Sequence, residues 1–144
     1  MTGMLLVAEL AGVRIALPAE EVRSVIEVAA LTPVPLAPPH IAGLTAVRSQ
    51  AITVIDSRAA LGLPPRSVDA EQLAVVIMLN GLSYALLLDG VSDVASCTAE
   101  PVFVSGGYGA GWDHVALGMV NPEGGPALLI DPFAFISGKD RQAA

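Results

Sequence analysis

Apolar residues occur along this 144-residue chain in short runs, the longest only from Leu73 to Leu79, separated by glycine, proline or polar residues. Runs of that length predict β-strands joined by tight turns. Leu5 to Leu10 and Val13 to Leu17 flank Ala11-Gly12, and Val75 to Leu79 and Ser83 to Leu88 flank Asn80-Gly81. Both are hairpin signals, and Asn-Gly is the stronger because both residues tolerate the positive φ of a primed turn. After each hairpin a short helical turn is predicted rather than a strand. In the first, Pro18 opens the acidic Ala19-Glu20-Glu21, and Val22, Val25 and Ile26 share a face. Pro33, Pro35, Pro38 and Pro39 forbid regular helix and predict an extended connector. Ile41 to Val47 and Ile52 to Ile55 read as further strands with a bend at Ser49-Gln50, and Ser57 to Leu61 as a short turn or helix. Pro101 to Asp113, with Gly106, Gly107, Gly109 and Gly111, reads as a mobile loop, and Pro132 to Ile136 as a short helix.

The pattern occurs twice. Val7 to Val25 is echoed by Val76 to Val94 at a constant offset of 69, which pairs Gly12 with Gly81, Leu17 with Leu86 and Val22 with Val91. Gly43 stands thirteen residues before Asp56, and Gly118 thirteen before Asp131. Two echoes in the same order imply duplicated architecture, so function is to be sought where the halves meet. The break from Leu63 to Asp69 divides a first-half segment, 1–65, from a second, 66–138, with 139–144 left as a polar tail. Strands this short, with so little helix to cross between parallel neighbours, predict a mainly β chain built as small barrels.

Composition adds a surplus of apolar surface. Hydrophobic residues make up 53% of a chain that would form one small domain, so part of that surface is expected to face a partner. No apolar run approaches the length of a membrane span, and Glu9 interrupts the place where a secretory signal has its apolar centre. A cytoplasmic location follows as an expectation. The net charge of −7 disfavours nucleic acid and anionic membrane as partners. Cys97 is the only cysteine and reads as a buried thiol. His40 and His114 are the only histidines, and no metal-site, nucleophile-elbow or phosphate-loop pattern accompanies them. Glu20 and Glu21 are adjacent and point to different sides, so they do not form an acid/base pair. No cofactor, metal or catalytic residue is expected.

Several blocks in order resemble the chemotaxis coupling proteins, the CheW-like domain family. They are the Val22 to Val25 segment, Pro33 to Pro35, PHIAGLTAVRS from Pro39 to Ser49, IDSR from Ile55 to Arg58, and DGVSDV from Asp89 to Val94. The resemblance covers about Leu5 to Ile136. It implies two intertwined five-stranded barrels resembling SH3 folds with short helices, forming one domain that acts as a non-enzymatic adaptor. The implied partners are the regulatory domain of a CheA-like histidine kinase and the cytoplasmic tip of methyl-accepting chemoreceptors. A CheW-like interaction module of a pilus, gliding or developmental pathway is the alternative.

Carried over residue by residue, the resemblance implies kinase binding at Val22, Ser24 and Gly43 and receptor binding at Arg48 and Val75. Val22, Val25 and Val75 match apolar positions at partner surfaces, and core packing is the other reading of each. Gly43 admits either a close partner backbone, in which case bulk there would block binding and spare the fold, or a bulge in a barrel strand. Arg48 either meets acceptors on a receptor or holds the bend beside it in shape. Asp56 and Asp131 read as caps of the short helices that follow, and Arg58 as a structural residue pairing locally with Asp56. The family's asparagine and glycine around the arginine are Ala46 and Ser49 here, so the bend is not expected to need a glycine-only conformation. A common glutamate is Ser24, and a frequent proline is Thr53.

Overall fold

A computed structural model describes residues 3–64, 72–97, 101–103, 107–109 and 111–137. The proposed boundary at 65–69, Gly106 and the tail from 139 lie outside these described residues. Ten strands run in chain order among them: β1 Gly3–Leu10, β2 Val13–Pro18, β3 Ser24–Glu27, β4 Ile41–Val47, β5 Gln50–Ile55, β6 Leu73–Leu79, β7 Leu82–Leu88, β8 Gly90–Cys97, β9 Ala116–Val120 and β10 Ala127–Ile130. Two short helices, α1 Ser57–Ala60 and α2 Ala134–Ser137, follow β5 and β10. Both predicted hairpins are present, with φ of 52° and 80° at Ala11-Gly12 and 53° and 81° at Asn80-Gly81.

Two expectations are corrected. The segments after the hairpins are strands, not helical turns: only Ala19–Glu21 forms a single 3₁₀ turn, and the chain then extends into β3. The cause is tertiary pairing. β3 crosses to β6 of the second half, and β8 crosses to β1 of the first, so each third strand takes its partner from the other hairpin. Val22, Val25 and Ile26 therefore share no helical face. The bend between β4 and β5 falls at Arg48-Ser49, one residue earlier than expected, because Val47 pairs with Gln50. Its φ values of 51° and 67° are the left-handed, glycine-favouring conformation after all.

The strand orders are β8-β1-β2-β10-β9 in one sheet, here barrel I, and β3-β6-β7-β5-β4 in the other, barrel II. Exchanging the strands of one half for those of the other turns the first order into the second, and neither sheet is made by one half alone. Each sheet closes through the chain beyond its third strand: Thr32 bridges to Leu44 in barrel II, and Val102 to Met119 in barrel I. Inward side chains form two small cores, Leu5, Ala16, Cys97, Val120, Ala127 and Leu129 in barrel I and Val28, Ile52, Val54, Ala74, Val76 and Ala85 in barrel II. The largest core lies between the barrels, where Leu6, Leu10, Ile15 and Leu17 of one hairpin pack with Val75, Ile77, Leu86 and Leu88 of the other.

The repeated glycines and aspartates have a geometric cause. Gly43 and Gly118 sit where the β4 and β9 pairings slip register, with φ of 151° and 144°. A Cβ on Gly43 would lie 2.6 Å from the Thr32 carbonyl oxygen, and one on Gly118 2.9 Å from Pro101 Cβ. Asp56 Oδ1 accepts the Ala59 N–H at 3.1 Å to cap α1, and Asp131 Oδ1 accepts the Phe133 N–H at 3.0 Å before α2. Their own N–H groups donate to the carbonyls of His40 and Val115 at 2.8 Å in both cases.

Candidate functional site

At one end of barrel II, β3, the β4–β5 turn and the β6–β7 hairpin enclose a groove of about 440 Å³. Ser24 and Arg48, expected on separate kinase and receptor surfaces, both line it. Val25, Ile26, Val76 and Met78 supply an apolar floor, with Val25 44% and Met78 38% exposed. Arg23 lies beside them and donates from Nη2 to Met78 Sδ at 3.6 Å. Arg48 forms no hydrogen bond or ion pair among the described residues. A guanidinium tie that shapes the bend is therefore absent; the two left-handed residues shape it.

The other proposed contacts lie elsewhere. Val75 is fully buried in the core between the barrels, so a direct receptor contact at that position is corrected: alternation along β6 turns it toward Leu86 and away from solvent. Val22 is half-buried against the same core. Gly43 is buried beneath Thr32, so bulk there meets this chain's own backbone before it meets a partner. Arg58 pairs with Asp89 at 2.9 Å rather than with Asp56, whose Oδ1 is engaged as a cap. Asp89 Oδ2 also accepts the Ala11 N–H at 2.7 Å, so this second-half residue ties α1 to the first hairpin turn, both of the first half.

A second surface escaped the motif reading. On the outward face of barrel II, Leu44, Thr53, Tyr84 and Ile77 stand in one register row. Beyond them lie Ala46 paired with Ala51 and Leu79 paired with Leu82. Leu82 is 60% and Leu44 37% exposed, and both alanines are exposed. The matching row in barrel I is Met119, Leu128, Ile15 and Ala8. There Tyr108 and Trp112 stand with Val13, Met119, Pro126 and Leu128 around a cavity of about 300 Å³ and pack against the central core. They come from the connector that spans Val102 to Val115, five residues longer than its counterpart from Thr32 to His40. Strict alternation outward from Thr53 and Tyr84 carried this signal in the sequence; that Leu44 and Leu82 at its outer end stay exposed did not show there.

The histidines hold backbone rather than chemistry. His40 Nε2 donates to the Ile136 carbonyl at 2.9 Å and His114 Nδ1 to the Gly111 carbonyl at 2.7 Å, since a carbonyl oxygen can only accept. Among the described residues no group of three or more His, Cys, Asp or Glu side chains could hold a metal ion, and no helix is long and apolar enough to cross a membrane.

Residues 4–140 match the family of CheW-like domains. The fold is similar to that of the scaffolding protein TtCheW from Thermoanaerobacter tengcongensis, with a TM-score of 0.79 at 20% identity over 94% of this chain and 93% of that one. No curated protein sequence matches the chain.

Proposed function

The chain belongs to the CheW-like domain family, and from that premise we propose that it is a non-enzymatic adaptor which couples chemoreceptors to a CheA-like histidine kinase in the cytoplasm. The kinase regulatory domain docks on barrel II, and the cytoplasmic tip of a methyl-accepting chemoreceptor occupies the groove beside Arg48. One observation carries the kinase contact: the exposed apolar face of Leu44, Ala46, Ala51 and Leu82, whereas at its counterpart in barrel I this chain's own Tyr108 and Trp112 stand beside the half-buried Val13 and Met119 and leave Asn121 and Pro126 exposed. An apolar sheet face that one barrel partly shields and the other leaves open suits a partner that supplies the missing cover. Burial of Leu82 and Leu44, each already part-shielded, is worth about 1 to 2 kcal/mol apiece, enough for two such contacts to dominate a modest interface.

Titration of the purified regulatory domain of the kinase from the same cell tests this reading. Leu82→Glu should lower its affinity at least tenfold while the melting temperature stays unchanged. Wild-type affinity in both Leu82→Glu and Leu44→Glu would remove the face from the interface. Wild-type protein that retains neither a histidine kinase nor a chemoreceptor from native extract would overturn the coupling function itself.

A further inference from the structure

We propose that the groove of barrel II seats a partner segment in which a carboxylate stands between apolar side chains. The inference deepens the receptor-docking reading and rests on it only for the identity of the partner, not for the chemistry of the seat. Four arginines lie among the described residues, and their surroundings differ. Arg58 has Asp89 at 2.9 Å. Arg14 donates to the carbonyls of Glu123, Gly125 and Pro126. Among the described residues Arg48 has no hydrogen-bonding or ionic partner, and the Arg23 side chain has only the weak bond to the Met78 sulfur, 3.6 Å long. These last two line the same groove, and none of its described lining residues is acidic.

On a chain with net charge −7, two guanidiniums over an apolar floor with no carboxylate partner among the described residues form a local exception to the general repulsion of anions. A guanidinium binds a carboxylate through two parallel N–H donors, and the attraction strengthens where neighbouring apolar groups displace water. Val25 and Met78 are the exposed apolar groups at that spot. They favour a protein segment over a free inorganic anion, which would leave them wet. Arg48 sits in a turn whose φ of 51° fixes its Cα, so binding has only side-chain freedom to remove. About 440 Å³ accommodates a few side chains rather than a folded domain.

A twelve-residue peptide of alternating Leu and Glu, blocked at both ends, tests the seat beside its Leu/Gln twin, with side-chain NMR of the full chain as the readout. The Arg23 and Arg48 Nε–H signals and the Val25 and Met78 methyls should move with the glutamate peptide at a concentration at least tenfold lower than with the glutamine peptide. Ser24→Glu places a carboxylate on an exposed strand position of the groove, and should weaken that response at least tenfold with an unchanged melting temperature. Arg23→Gln provides a second variant that adds no charge and should weaken it too. Equal response to both peptides, shifts centred elsewhere, or no shift overturns the proposal. Groove signals that move with protein concentration alone would mean that a second copy fills the groove, and would also overturn it. Since the peptide is neither receptor nor kinase, failure here leaves the adaptor reading standing, and a failed receptor titration leaves the seat standing.

Discussion

In barrel I the row from Ala8 through Ile15 and Leu128 ends at half-buried Met119, beside a cavity that Tyr108 and Trp112 help to line, whereas in barrel II the matching row from Ile77 to Leu44 ends in the open. The turns beside these rows differ in the same sense. In barrel I, Gly125 N–H donates to the Pro122 carbonyl across Glu123-Gly124, and Arg14 braces that turn from β2. In barrel II the two turn residues are Arg48-Ser49, the Arg14 counterpart on β7 is Ser83, and no brace exists among the described residues. One strand scaffold thus serves two ends: one barrel shields part of its own face and braces its turn, and the other keeps an apolar face and a cationic turn exposed. The connector is five residues longer in barrel I, and the arginine near the turn stands on β2 there but in the turn itself in barrel II.

The sharpest way to break that contrast is to remove the cover. Trp112 is only 9% exposed, and Trp112→Ala should cost about 3 kcal/mol through lost burial and the cavity left behind. Leu82→Ala, on the uncovered face, should stay within about 0.5 kcal/mol. Urea melts of the two variants decide it. Equal costs would mean that Tyr108 and Trp112 do not cover barrel I in the sense described.

A smaller contrast separates the repeated glycines. Gly43→Ala drives a Cβ to 2.6 Å from a backbone carbonyl, which cannot move without its strand, and should cost about 2 to 3 kcal/mol. Gly118→Ala meets Pro101 Cβ at 2.9 Å and the Val102 carbonyl oxygen at 3.2 Å, and should cost about 1 to 2 kcal/mol. Thermal unfolding of both checks the order. A Gly43→Ala protein as stable as wild type would return that glycine to the interface.

Much of this architecture was legible in the residues. The offset of 69 marked the hairpins, and the matched spacing of Gly43 to Asp56 and Gly118 to Asp131 marked the bulges and caps. What could not be read was which strand pairs with which. β3 and β8 take their partners across the duplication, and local pattern carries no record of that exchange, so both looked like helical turns. Val75 carries two readings, partner contact and core packing, for a similar reason: most of β6 is covered on both faces, so alternation alone does not say which side meets solvent. Arg48 and Ser24 were legible as candidates, but their meeting in one groove depends on the β3–β6 register.

The turns themselves allow a gain. Ser49 holds φ of 67° where the matching position in barrel I is Gly124 at 99°. Ser49→Gly relieves a left-handed strain of about 1 to 2 kcal/mol at the expense of some chain entropy, so stability should rise by about 0.5 to 1 kcal/mol. A lower midpoint in urea would show that the Ser49 hydroxyl does something the turn needs.

The smallest expected effect separates the two junctions between hairpin and helix. At one, Arg58 of α1 meets Asp89 at the end of β7, an attraction. At the other, Glu21 after β2 stands near Asp131 before α2 and beside Glu20, and Phe133 stands two residues after Asp131 as Arg58 does after Asp56. Burial first, then the Asp131 and Glu20 charges, raise the Glu21 carboxyl above its ordinary value. A raised carboxyl favours the fold when protonated. Its contribution is fully present below the unfolded-state value and is lost as pH rises through the higher folded one. Glu21→Gln should therefore unfold later than wild type at pH 7, and the advantage should disappear once the medium is acid enough to protonate the glutamate in the unfolded chain. Melting curves at pH 7 and pH 4 measure both halves of that statement. The Arg58–Asp89 junction should respond with the opposite sign, Asp89→Asn losing stability at pH 7, and equal behaviour at the two junctions would erase this part of the contrast.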